Sequence, residues 1–344
     1  MEFVNTKNLI SKYFDDELLS NIVVKVGKGE EVYFETFRSR DMQLKATTMF
    51  DMASVTKIMV TTTLALMAID DKLFSFDSYV SDFFDTPKHF ENLKISHLLT
   101  HTIGFGYKDL REENNNYDNI AEYILNLKGN EIGEEVEYSC PAFILLGKII
   151  EKVYGKRLDV LFQQKIATPL NLKNSCFNPV EKGYSDFVNS NLRAQELGIV
   201  NDNNCRFLGG VAGNAGLFSC ISDVSAYLKM LLCNGVPLIK KDTLDYALKN
   251  YTADKSASRG MGFLCSDERY SQTATLFNEN SFGHCGHTGQ SVFFNKESKL
   301  YVIILSDATI STIKKDDGEY GVVIKFREEI HKAIKEDLLK GDLI

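Results

Sequence analysis

Apolar positions recur three and four residues apart in several stretches of the chain and cluster or alternate in others. The two periods separate helices from strands. Residues 1–19 place Leu9, Ile10, Tyr13, Phe14, Leu18 and Leu19 on one helical face. Residues 21–38 read as a hairpin, Ile22-Val23-Val24-Lys25-Val26 and Val32-Tyr33-Phe34-Glu35-Thr36-Phe37 around a Gly-Lys-Gly turn. A long helix starts at Ser54, and after Lys57 every residue is apolar or Thr until Asp70. Helical patterns dominate from about 77 to 250. The clearest covers 141–154, with Ile144, Leu145, Ile149, Ile150 and Val153 on one face and Gly155 as its stop. Another covers 222–233. Beyond Arg259 the pattern changes to strand-like runs at 261–265, 291–294 and 299–305, and residues 321–339 predict a closing helix. Strands at both ends with helices between them predict an α+β fold. Residues 1–76 and 251–344 build an antiparallel sheet flanked by helices, and 77–250 form a mostly helical inserted domain.

A chain of 344 residues is long enough for a large core. Its formal charge of −8, with no basic cluster, argues against nucleic-acid binding. No apolar run reaches the length of a membrane span, and the N-terminus lacks an apolar signal region. The seven cysteines lack any Cys-x-x-Cys pair and sit mostly among apolar residues. These features predict a reduced, cytoplasmic protein without cofactor or metal, whose partner is a small-molecule or peptide substrate. They leave its oligomeric state open. His97 and His101 have zinc-ligand spacing on a helix, but no Glu follows His97 and no third ligand stands out, so they read as structural.

The chemistry gathers at three places. Ser54 and Lys57, three residues apart, share one helical face, which brings a hydroxyl and an amine together. A lysine whose pKa is lowered by burial can serve as base to a serine nucleophile. Ser311 and Lys314 repeat the spacing, without a buried helix behind them, and read as a loop. Tyr138, just ahead of the 141–154 helix, is the first candidate partner, because a phenol beside an ammonium loses its proton more easily. The second is Gly283-His284-Cys285-Gly286-His287-Thr288-Gly289-Gln290-Ser291. There the Gln290 N–H, with that of Ser54, is the candidate two-donor oxyanion hole.

Five segments in order resemble the serine β-lactamase and penicillin-binding-protein superfamily, in its class C-like branch. Thr48 to Lys57 is similar to the nucleophile segment, and residues 95–104 to an Ile-x-His-Leu-Leu-Thr-His-Thr-Ser-Gly stretch, with Ile103 in the Ser place. Tyr138-Ser139-Cys140 stands where the family has Tyr-x-Asn. Residues 209–219 resemble its glycine-rich segment, with Asn214 where His is usual. His287-Thr288-Gly289 stands in the Lys-Thr-Gly place. The resemblance implies an acyl-enzyme on Ser54, proton transfer through Lys57 and Tyr138, and His287 orienting substrate and supporting the Tyr138 phenolate. It also implies that Cys140, Thr288 and Gly289 contact substrate.

Two departures shape the expected activity. Cys140 replaces a carboxamide, and a thiol is a poor donor. His287 replaces a lysine and is only partly charged near neutral pH. Both point to the esterase and peptidase side of the branch, acting on esters, D-amino-acid peptides or, less favoured, β-lactam-like amides. The alternative is a penicillin-binding or sensor domain that acylates without efficient turnover. If His287 must be neutral beside Tyr138, activity rises with pH through the histidine range.

Overall fold

The computed structural model describes residues 2–103, 105, 110, 119–127, 129, 131–189, 197–267, 271–274, 276–277, 280–308 and 319–344. The second Ser-x-x-Lys, Ser311 to Lys314, lies outside the described residues. Six strands form one antiparallel sheet in the order β2-β1-β9-β8-β7-β6. They are β1 (Asn21–Lys28), β2 (Glu31–Ser39), β6 (Leu264–Cys265), β7 (Ser281–Cys285), β8 (Ser291–Asn295) and β9 (Leu300–Ser306). A second, three-stranded sheet, which the periodicity does not predict, orders β3 (Phe50–Asp51), β5 (Leu217–Ser219) and β4 (Cys176–Phe177) as β3-β5-β4. Strands of two or three residues are too short to show a period, so only tertiary pairing reveals them.

Side-chain alternation divides the sheet between two cores. Ile22, Val24 and Val26 of β1, with Val302 and Ile304 of β9, pack under the terminal helices Val4–Asp15 and Glu319–Lys340. Both termini are tied there, since Asp337 accepts the Thr6 N–H and hydroxyl at 2.8 Å each. Val23, Val292, Ile303 and Leu305 face the opposite side. That core continues without a break through the 53–70 helix into the helices between 80 and 248, so sheet and helical segment share one interior.

The helix that carries Ser54 runs from Ala53 to Asp70. It opens with a tight 3₁₀ turn over Ala53–Val55, widens to a π-helical turn over Lys57–Thr62 and closes as α-helix over Thr63–Asp70. By length and apolarity alone it could cross a membrane, yet 78% of it is buried inside the protein. Its composition is therefore accounted for by core packing. All seven cysteines are free, and only Cys233 is exposed.

Candidate active site

Ser54 Oγ lies 2.6 Å from the Tyr138 hydroxyl and 3.1 Å from Lys57 Nζ. The turn that presents Ser54 is strained, because Ala53 has φ +43°, in a region that costs an L-residue about 1 kcal/mol. Asp51 holds it in place. Its Oδ1 accepts the Ala53 N–H at 2.8 Å and its Oδ2 the Asn201 N–H at 2.7 Å. On the other side Gly286 approaches so closely that a Cβ there would stand 2.7 Å from Met52 O.

Lys57 is fully buried, 0% exposed. Besides Ser54, its Nζ meets Asn214 O at 2.9 Å and Cys140 Sγ at 3.7 Å. The Tyr138 and Phe143 rings lie 4.9 and 5.6 Å away. No carboxylate pairs with it among the described residues. Burial lowers its pKa from 10.5, helped by Arg259 and opposed by Cys140 and Asp202. A neutral amine in this position donates to Asn214 O and the sulfur and keeps its lone pair for the Ser54 proton. That is the arrangement a general base needs. The glycine-rich segment makes the approach possible, for a Cβ on Gly213 would sit 2.0 Å from Phe143 O.

Tyr138 is aimed by the elements on either side of it. Ser139 caps the helix Cys140–Tyr154, its Oγ accepting the Ala142 N–H at 3.2 Å, and Pro141 fits the first turn. His101 ends the helix Ile95–Thr100 in the left-handed region at φ +58°. Its carbonyl accepts the Glu137 N–H at 2.9 Å and its Nδ1 the Ser139 N–H at 3.0 Å. Its ring lies 4.8 Å from that of Tyr138. Burial, Arg259 and Lys57 hold His101 well below 6.5, so Nδ1 carries the lone pair that this bond requires. In the sequence His101 stands in the 95–104 segment that resembles the family stretch, and its spacing from His97 reads as structural. His97 instead caps its own helix, Nδ1 accepting the Lys94 N–H at 3.1 Å.

The expected position of the His-x-Gly element is corrected by three residues. The triplet occurs twice, at 284–286 and 287–289, and the strand end belongs to the first. β7 stops at Cys285, and the chain then turns, with Gly286 N–H donating to Gln290 O at 2.9 Å and Gly289 N–H to Gly286 O at 3.1 Å. The cleft, of about 510 Å³, is lined at this edge by His284, Cys285, Gly286 and His287. Thr288, Gly289 and Gln290 lie outside it. Thr288 Oγ1 stands 3.0 Å from Asp51 O, and Gln290 Nε2 donates to the same oxygen at 2.7 Å. Their polar side chains stabilise the nucleophile turn from within, and Gln290 does not line the cleft. His287 sits half-buried at the rim. On the cleft side the imidazole near Tyr138 is that of His284, 6.1 Å away between ring centroids. Its Nδ1 lies 2.7 Å from Cys285 O and must donate, which leaves Nε2 as a buried lone pair without a partner among the described residues. Burial, Lys57 and Arg259 hold it well below 6.5.

Several lining residues carry no linear signal. Arg259, 8% exposed, places its guanidinium carbon 5.7 Å over the Tyr138 ring. Arg327 reaches in from the closing helix, Nη1 donating to Gln272 Oε1 at 2.9 Å and Nη2 to Gly286 O. Asp202 accepts from Asn214 Nδ2 at 3.1 Å. Cys140 forms the wall beside Lys57, its thiol pushed up by burial and so uncharged.

Comparison with known proteins finds relatives over most of the chain. The N-acetylmuramyl-L-alanine amidase of Bacillus subtilis (strain 168) is 28% identical over 307 residues, 78% of this chain and 70% of that protein. An Escherichia coli (strain K12) protein provisionally assigned as a D-alanyl-D-alanine carboxypeptidase is 27% identical over 341 residues, 86% of this chain and 77% of that protein. The octameric penicillin-binding protein homologue of Pyrococcus abyssi superposes with a TM-score of 0.74 at 19% identity, covering 99% of this chain and 82% of that one. The beta-lactamase family profile matches residues 9–321, and the chain belongs to that family of serine hydrolases and penicillin-binding proteins.

Proposed function

We propose that this protein is a serine hydrolase of the peptidase and esterase type, in which Ser54 forms an acyl-enzyme. One observation carries the reading: Ser54 Oγ between the Tyr138 hydroxyl at 2.6 Å and the amine of a fully buried Lys57 at 3.1 Å. Lys57 takes the Ser54 proton as Oγ adds to the carbonyl carbon. Tyr138, half-buried at the cleft while Lys57 is enclosed, is the group able to hand a proton to the leaving nitrogen or oxygen. The Arg259 guanidinium lies over the Tyr138 ring, its carbon 5.7 Å from the centroid. Water then cleaves the ester by the reverse proton path. Substrates are esters and short peptides of the kind cleaved by carboxypeptidases, with β-lactams less favoured because Cys140 offers a thiol where a carboxamide would hold the amide side chain.

Intact-protein mass spectrometry after exposure to a fluorophosphonate, a penicillin and a p-nitrophenyl ester tests the assignment, with Ser54→Ala in parallel. Adducts on the wild type alone, with ester turnover, are expected. Full activity in Ser54→Ala rules the assignment out. The Cys140 thiol also supports a second reading, a sensor that acylates without turnover. A penicillin adduct that persists for hours, with no hydrolysis of any ester or peptide, would favour it.

A further inference from the structure

Two nucleophilic side chains meet beside Ser54, and the acylation step uses only one of them. Cys140 Sγ lies 3.7 Å from Lys57 Nζ. The amine is anchored there by donation to Asn214 O at 2.9 Å. Cys140 opens the helix Cys140–Tyr154, directly after the Ser139 cap. It is 4% exposed, yet it lines the cleft, so a small solute that enters the cleft meets its sulfur. The carboxamide that the family places at this position has no comparable chemistry with an amine.

A thiol reacts with peroxide as its thiolate. A helix N-terminus and a neighbouring amine favour that form, and burial opposes it. At rest burial prevails and keeps the thiol above its ordinary range, while Lys57 pulls the other way. Lys57 is also the base within reach of the thiol proton. Burial lowers the pKa of its own ammonium, so the returned amine is free to act as a nucleophile.

We propose that Cys140 and Lys57 form a site of oxidative modification, in which hydrogen peroxide joins them through a covalent S–N bond and reversibly silences the enzyme. The effect on activity rests on the acyl-enzyme reading, because the bond consumes the base assigned to Ser54. The cross-link itself does not depend on that reading. The thiolate attacks peroxide, the O–O bond breaks, and a sulfenic acid and water form. The Lys57 amine then displaces water from the sulfur, a condensation that sulfenic acids undergo with nitrogen. One thiol, one amine and one hydrogen peroxide give one sulfenamide and two waters. Sulfur gives up the two electrons that peroxide gains. Two equivalents of an external thiol reverse the step, restoring thiol and amine and leaving a disulfide.

The test exposes the full chain to hydrogen peroxide and maps its peptides by mass spectrometry, with p-nitrophenyl acetate turnover followed in parallel. The peptides that carry Lys57 and Cys140 are expected to appear joined, two hydrogens lighter than their sum, and to separate on dithiothreitol. Turnover should fall with the joined fraction, by about 100-fold at completion as for loss of a general base, and return with dithiothreitol. Cys140→Ser, referred to its own untreated rate, should form no cross-link and keep its turnover under peroxide. Cys233→Ser, which removes the exposed thiol, should respond to peroxide as the wild type does. Oxygen added at Cys140 with Lys57 unmodified overturns the proposal, and so does a disulfide from Cys140 to Cys285. Equal peroxide sensitivity of turnover in Cys140→Ser and wild type overturns it too, as does a joined pair that retains full turnover. Ester turnover that survives in untreated Ser54→Ala would instead remove the acyl-enzyme reading, and the peptide map would still decide the cross-link.

Discussion

The Ser139 N–H donates to His101 Nδ1 at 3.0 Å, so a buried imidazole fixes the main chain next to Tyr138. His101 touches no reacting atom. It acts through the loop it holds, and its left-handed backbone sets the direction in which the loop leaves the helix. His101→Leu is expected to lower kcat on a p-nitrophenyl ester by about 100-fold with little change in KM, because misplacing a proton donor costs rate more than binding. His101→Asn, which tolerates the left-handed region and keeps an acceptor, should recover part of the loss. Steady-state kinetics with a parallel thermal melt separates this from simple unfolding. An unchanged kcat in the leucine variant ends the positioning role.

The rate is expected to follow the protonation of Lys57. The neutral amine is the base, so activity falls as pH drops through its pKa, which burial holds below 10.5. The cleft-lining imidazole near Tyr138 is His284, and burial, Lys57 and Arg259 hold its pKa well below 6.5. No limb from that ring therefore belongs in the neutral range. The kcat/KM profile between about pH 5 and 10 should keep its acid limb in His284→Asn, even if the height drops. A flattened limb in that variant would return the titration to the histidine.

Gly213 is expected to tolerate no side chain. A Cβ would lie 2.0 Å from Phe143 O, a main-chain atom inside a helix. Relief requires moving a segment whose Gly213 carbonyl accepts Thr61 Oγ1 at 2.6 Å and whose Asn214 carbonyl accepts Lys57. Gly213→Ala should cost about 3 kcal/mol in urea unfolding and reduce activity in the fraction that remains folded.

His331 predicts acid sensitivity of the terminal core. It is fully buried in the closing helix between Phe277 and Phe293. Burial holds it down to about 4, against about 6.5 unfolded. The unfolded chain binds the proton first, so this stabilisation is complete above 6.5 and is lost as pH falls towards 4, by about 2 kcal/mol at pH 5. His331→Phe should flatten the fall in denaturation midpoint between pH 7 and pH 5. A wild-type slope that persists in the variant assigns the loss to other groups.

What local pattern could express was legible in the chain. Ser54 and Lys57 meet because one helical turn brings positions three apart together, whatever else folds around them. The hairpin of β1 and β2, the helix Cys140–Tyr154 with its Gly155 stop and the closing helix follow from periods and caps contained in each segment. The His-x-Gly repeat was different. Two consecutive candidates have the same spelling, and a three-residue slip moves the pairing register and reverses the face each side chain takes. Only the pairing of β7 with β8, which matches Cys285 to Ser291, selects His284. Asp202, Arg259 and Arg327 escaped for a related reason. Each approaches Ser54 from a distant part of the chain, and a charge carries no period that announces the cleft it will line. Long-range packing in three dimensions, not local propensity, decides which isolated polar residues become a site.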